Sequence, residues 1–356
     1  MVGKKILLVA ILMYAVALGC VFYPNNNTDA APTTLPGLVH VDNQQPFCGV
    51  AISLHRVDWI DRYEKTIDDA ADDGADTVSL VVDAHVENKE SVQIYIDMRM
   101  TPTVPQLEEI INHAKARHMR VILMPIVLPD APIDNEWRGT LAPRDWGMWF
   151  DSYRDMIGHY ARIAQETNVD VLVVGSELVS SEEHVDEWIQ TIKSVRDIYK
   201  GQLTYSSNWD RYWKVKFWDY LDFIGMNSYW DLGKDQDASV SEIEGNWKKI
   251  QNDMFNKYKM NKPVILLEAG WCSLANAATA SWDYTQDQLD ADPDLQRRLY
   301  EGFYQSWWGN PHLAGMIMWE FTPDGDPTGK GYTPQGKPAE MVMKDWYSKP
   351  RWTIGQ

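Results

Sequence analysis

Two stretches end an apolar run in a carboxylate. VDVLVVGSELVS, residues 169–180, leads to Glu177, and KPVILLEAGW, residues 262–271, leads to Glu268. A glutamate at such a place is held by a rigid element yet stands clear of the core. Two of them over one pocket, without a His/Cys cluster at metal-ligand spacing, suit glycoside hydrolysis. One carboxylic acid protonates the leaving oxygen, and a second, ionised, attacks or stabilises the anomeric carbon. Their surroundings must push the two pKa values apart. Either glutamate alone could as easily pair with an arginine or cap a helix; the pair together favours chemistry.

What must position them is a repeat of strand and helix. Eight short apolar runs read as strands: CGVAISL (48–54), DTVSLVV (76–82), MRVILMPI (119–126), VDVLVVG (169–175), QLTYSS (202–207), LDFIGMN (221–227), PVILLEA (263–269) and LAGMIMW (313–319). Nearly continuous apolar character marks parallel strands buried on both faces. Amphipathic stretches at 104–118, 145–167, 182–200 and 292–308 lie between them. The link after the fifth strand is short and has room for little more than a turn. Eight such units in a chain of this size give a (β/α)8 barrel, a TIM barrel with a single catalytic domain over residues 45–356. A doubly wound open sheet is the alternative, but SLHRVDW after the first strand has no glycine for a phosphate loop. In a barrel the ends of strands four and seven face each other across the mouth.

The chain has 356 residues and a net charge of -18. So negative a surface repels phosphate and excludes nucleic acid as a partner. A neutral polysaccharide or oligosaccharide suits it better, and the 17 tryptophans supply flat apolar rings for such a ligand, most of them serving the core. No cofactor or metal motif is present. We expect a monomer.

MVGKK followed by ILLVAILMYAVAL is an export signal, and Ala17-Leu18-Gly19-Cys20 resembles a lipobox. The uncharged run to Tyr23 is also long enough for a membrane tether. Residues 1–23 thus read as a signal peptide, lipoprotein signal or anchor, and 24–44 as a polar linker. The expected location is exported: a cell-surface lipoprotein, periplasmic or extracellular. Cys48 and Cys272 fall at opposite ends of their strands, so no bond between them is expected.

The motifs NEWRGTL (135–141), VGSEL (174–178), DFIGMNSYW (222–230), PVILLEAGW (263–271), GMIMWEF (315–321) and GKPAEMVMKDWY (336–347) together resemble clan A of the glycoside hydrolases. More narrowly, the chain is similar to glycoside hydrolase family 113, the β-mannanase-like family. The resemblance implies a retaining endo-β-1,4-mannanase with Glu177 as acid/base and Glu268 as nucleophile. It gives Tyr229 a hydrogen bond to the nucleophile and makes Trp319 the platform beneath the sugar at the cleavage point. Trp137 and Arg138 become contacts to a neighbouring sugar, or a brace for their loop. Asn208, Trp209 and Asn227 become donors to sugar hydroxyls. Two features depart from the clan. Ser176 stands where an asparagine often bonds the 2-hydroxyl, and MPIVL ends strand three without a polar residue after the proline. Glu320, beside Trp319, should point away from the mouth if that strand stays regular. The rival readings are a non-catalytic surface barrel that only binds carbohydrate, and a clan A hydrolase acting on β-glucan or xylan.

Overall fold

The computed structural model describes residues 44–355 apart from 135, 235, 284 and 287. The expected export signal, Cys20 and nearly all of the expected linker lie outside the described residues. Among the described residues, no helix is long and apolar enough to cross a membrane.

Eight parallel strands close into a barrel in sequence order. They are β1 (Phe47–Ser53), β2 (Thr77–Val86), β3 (Arg120–Pro129), β4 (Val171–Ser176), β5 (Gln202–Ser207), β6 (Ile224–Asn227), β7 (Val264–Ala269) and β8 (Leu313–Met318). Around them run α1 (Ile60–Asp72), α2 (Val104–Ala116), α3 (Trp146–Glu166), α4 (Val185–Ile198), α5 (Val240–Asn252), α6 (Pro293–Trp307) and α7 (Pro338–Tyr347). Between β5 and β6 there are only two single-turn 3-10 segments, Tyr212–Lys214 and Trp218–Tyr220. Helix starts are set by local chemistry. Asp145, Ser239 and Asp292 accept the N–H three residues on, and Pro293 fills the first turn of α6.

Two apolar layers result. The outer one joins strand faces to helices and holds Trp149, Trp188, Trp247, Trp271 and Trp307, all fully buried. The inner one fills the barrel with Phe47, Ala51, Val81, Ile122, Met124, Val171, Val173, Phe223, Ile265, Leu267, Ala314 and Ile317. Alternate residues of each strand reach the inner layer, so side chains further along the same inward rows arrive at the carboxyl mouth. Cys48 and Cys272 are both buried and unbonded.

β2 and β3 outrun the other strands and stay paired up to Val86 and Pro129. They form a wall above one side of the mouth. On the β3 side this wall is apolar, since Ile126 and Leu128 continue the inner layer. On the β2 side it is polar, because Asp83 and His85 follow Val81 in the inward row.

Candidate active site

Glu177 lies one residue past β4, whose register against β5 shifts between Val173 and Ser176. Its φ is +54°, an uncommon conformation for a residue with a Cβ. Hydrogen bonds to β5 hold it there. The Glu177 N–H donates to Ser206 O at 2.8 Å, and the Leu178 N–H donates to Tyr205 Oη at 3.0 Å. Gly175 lets this turn pack close. A Cβ there would come within 2.7 Å of Trp188 and 2.9 Å of Tyr205.

Glu268 reaches the same mouth by another route. Ile265 and Leu267 face the barrel interior, so strict alternation would turn Glu268 outward. The register shifts on both sides of β7, between Met226 and Asn227 towards β6 and between Leu266 and Ala269 towards β8. Such irregularities re-aim a side chain, and Glu268 meets Tyr229 from the loop after β6. Tyr229 Oη donates to Glu268 Oε2 at 2.8 Å. The other oxygen, Oε1, is buried without a protein partner.

Both Glu177 oxygens are engaged. Asn227 Nδ2 donates to Oε1, and the Arg138 guanidinium pairs with Oε2. Arg138 rides on a 3-10 turn, Arg138–Thr140, in the loop after β3. Both side chains remain reachable from solvent, at 17% and 10% exposure. Asn227 is anchored in turn, since its Oδ1 accepts from the Trp209 N–H at 2.8 Å and its Nδ2 also lies 3.4 Å from Asn208 Oδ1. These bonds tie Asn227 to Glu177 and to the loop after β5.

Electrostatics follows from burial and neighbours. Burial raises the Glu177 pKa; Arg138 opposes this, and Asp210 adds to it. Glu268 is raised to about 7, first by burial and then by the charge of Glu177, against the pull of Arg138 and the Tyr229 bond. One guanidinium between two buried carboxyls leaves room for one proton, held up to about neutral pH. The arrangement thus offers one protonated and one ionised carboxyl facing one space.

The remaining expected residues fall around this pair. Trp319 is half-buried at the end of β8 and packs on the inner layer. A Cβ on Gly270 would sit 2.2 Å from Trp319 O, so glycine there admits the Trp319 backbone. The Trp137 ring folds over Gly139 of its own turn. Trp209 packs edge-on against Trp230. Ser176 Oγ is buried with no partner in the protein. Glu320 does not point away from the mouth. The Trp319–Glu320 peptide is cis, and Glu320 Oε2 accepts from Ser53 Oγ at 2.6 Å. Its charge contributes to raising Glu268.

Three polar residues at the mouth were not singled out in the sequence: His55, Asp83 and His85. For Asp83 and His85 the signal was present in SLVVDAHV, where Ser79, Asp83 and His85 alternate with apolar residues in a two-residue period. Among the described residues, no group of three or more His, Cys, Asp or Glu is arranged to hold a metal ion.

The model of Glycoside Hydrolase Family 113 matches residues 54–335. The chain belongs to glycoside hydrolase family 113. It is therefore a clan A glycoside hydrolase on a (β/α)8 barrel. Similar solved structures agree in fold. A GH113 β-1,4-mannanase has a TM-score of 0.78 at 23% identity, over 86% of this chain and 100% of that one. The GH113 β-mannanase AaManA from Alicyclobacillus acidocaldarius has 0.76 at 24%, over 86% and 98%. A β-glucuronidase from Ruminococcus gnavus has 0.56 at 12%, over 86% and 50%. A comparison with curated protein sequences returns no match.

Proposed function

We propose that this family 113 enzyme is a retaining endo-β-1,4-mannanase in which Glu268 is the nucleophile and Glu177 the acid/base. The observation that carries the roles is the shared environment of the two glutamates around Arg138. Tyr229 fixes one oxygen of Glu268 and leaves Oε1 without a protein partner, so Oε1 is the atom that attacks the anomeric carbon. Attack forms a C–O bond to Glu268 as the glycosidic C–O bond breaks, and the proton on Glu177 goes to the departing oxygen. Glu177 then takes a proton from water, whose oxygen displaces Glu268.

In the free site, Arg138 and Asn227 both favour Glu177 as a carboxylate, the charge it needs for the second half of the cycle. For the first half, the aglycone sugar draws Arg138 away. Without that cation, burial raises Glu177, and the proton shared by the pair passes to it from Glu268, which is left ionised for attack. The mannan preference draws on the printed names of the two GH113 structures. The export signal fits a polymer substrate met outside the cytoplasm.

The test is to incubate the purified enzyme with β-1,4-linked manno-, gluco- and xylo-oligosaccharides and follow the first-formed anomer by NMR. Cleavage of internal mannosidic bonds with the β-anomer appearing first supports the reading. A first-formed α-anomer overturns the assigned roles. Release from gluco- or xylo-oligosaccharides alone overturns the mannan assignment, and binding without release overturns the enzymatic account.

A further inference from the structure

The acid/base sits beside the leaving group, so the aglycone lies towards Arg138, Asn208 and Trp209, on the β3–β5 side. The glycone must run the opposite way, over Trp319 and on to the ends of β8, β1 and β2. A second polar cluster stands there. His55, two residues past β1, presents Nδ1 to Asp83 Oδ2. The imidazole is 43% exposed while the Asp83 side chain is 3% exposed. Asp83 is fixed through its backbone carbonyl, which accepts from Thr101 Oγ1 at 2.9 Å and Tyr160 Oη at 3.4 Å. Its Oδ1 is buried with no partner in the protein. Ser53, on the same strand end, holds Glu320.

A pair that only braced two loops would be buried and fully matched. Here the carboxylate orients the ring and leaves Nε2 as the free nitrogen of a half-exposed imidazole. Burial works against protonating His55, yet Asp83 and Glu320 together raise its pKa. Glu320 is the link to the reacting centre, since its charge reaches Glu268 on one side and His55 on the other.

We propose that His55, oriented by Asp83 and flanked by Glu320, is a binding site for the hydroxyl groups of the second glycone sugar, a neutral hexose. Two carboxylates beside the imidazole would repel a uronic acid at this place. This rests on the glycone direction given by the roles assigned above to Glu177 and Glu268.

The test compares aryl β-mannoside with aryl β-mannobioside, which differ by one glycone sugar. In the wild-type enzyme the second sugar raises kcat/KM. In His55→Ala that gain should fall by about 10- to 100-fold, the range for a hydrogen bond to a charged or strongly polar group, with the loss in KM rather than kcat. Asp83→Asn should lower the same ratio in a chain of nearly unchanged unfolding temperature. His55→Gln, which keeps an amide near the Nε2 position, should restore part of it. A ratio unchanged in both His55→Ala and Asp83→Asn overturns the site, as does a loss shared equally by the two substrates, which marks a structural brace. If the wild type cleaves neither substrate, the functional reading fails instead.

Discussion

The two ends of this barrel handle buried charge in opposite ways. At the amino end, an aspartate stands one or two residues before each of β2, β4 and β6, and each pairs with a cation and a backbone N–H. Asp76 accepts from the Cys48 N–H, Thr77 Oγ1 and Arg120, and also faces Arg351. Asp170 accepts from the Val121 N–H at 2.7 Å and Lys115 at 2.5 Å. Asp222 accepts from the Leu203 N–H and from Arg196, both at 2.6 Å. Each thus ties its own strand to the one before it and brings in a cation. At the carboxyl end, Glu268 Oε1, Asp83 Oδ1, His85 Nε2 and Arg138 Nε are buried without partners in the protein. An unmatched buried polar atom costs about 1–3 kcal/mol. Matched groups at one end stabilise the fold, and unmatched groups at the other are kept for a ligand that supplies the missing bonds.

Substitutions at each end should separate activity from stability. The largest effect belongs to the carboxyl end. Glu268→Ala should lower kcat by about 10⁴-fold or more, as expected when a nucleophile is removed, while leaving the chain folded. Single-turnover kinetics on an activated aryl glycoside would measure it, and near-normal turnover would remove Glu268 from the reaction. At the amino end the sign reverses. Arg196→Ala takes the guanidinium from Asp222, whose side chain is 0% exposed, and should cost about 3–5 kcal/mol of stability. Denaturant unfolding would show the loss. Turnover per folded molecule should match the wild type, and a specific activity that fell in parallel would mean that the two ends are not independent.

The same contrast explains what could be read from the sequence. The strands were legible because both faces of a barrel strand are apolar, and β5 matches its QLTYSS run from end to end. Glu177 and Glu268 stood out because each interrupts such a run. The wall was not legible. β2 continues through DAHV and β3 through VLP, and polar residues in an inward row look like the start of a loop when only apolar runs are sought. Asp83 and His85 were missed for that reason. Glu320 was misplaced because a two-residue period was extended past Met318, where β8 ends. The bond of Asn227 to Glu177 joins residues fifty apart, and no local pattern reports such a contact.

Unmatched charge at the mouth should also be visible in stability. The folded Glu268 carboxyl titrates at about 7 against an ordinary 4.5. The folded chain therefore holds a proton that the unfolded chain has already lost across this window. Stability from this group is complete below about pH 4.5 and declines as pH rises towards 7. Glu268→Gln carries no charge at any pH and should escape the decline. It should be more stable than the wild type by on the order of 1–3 kcal/mol at pH 8, with the margin closing towards pH 4.5. Thermal unfolding of both proteins across this range would measure it. A margin that is constant with pH would mean that Glu268 is not held protonated by the fold.

The smallest effect is the most discriminating, because it sets one arginine against another. Arg196 neutralises an aspartate whose charge the fold requires, so removing it destabilises. Arg138 faces two carboxyls of which the reaction requires one protonated and one ionised, and it lowers the pKa of both. Arg138→Ala should therefore let Glu268 hold its proton to higher pH, which moves the acidic limb of kcat/KM upward, and let Glu177 do the same, which moves the alkaline limb upward. Removing a charge at hydrogen-bond distance shifts each limb by roughly one pH unit or more. The bell keeps its width and slides to higher pH. If only the height of the profile changes, Arg138 serves the sugar alone. If the two limbs move apart or together, the guanidinium acts on one carboxyl and not on the pair, and the account of a single cation shared across the mouth fails at that point.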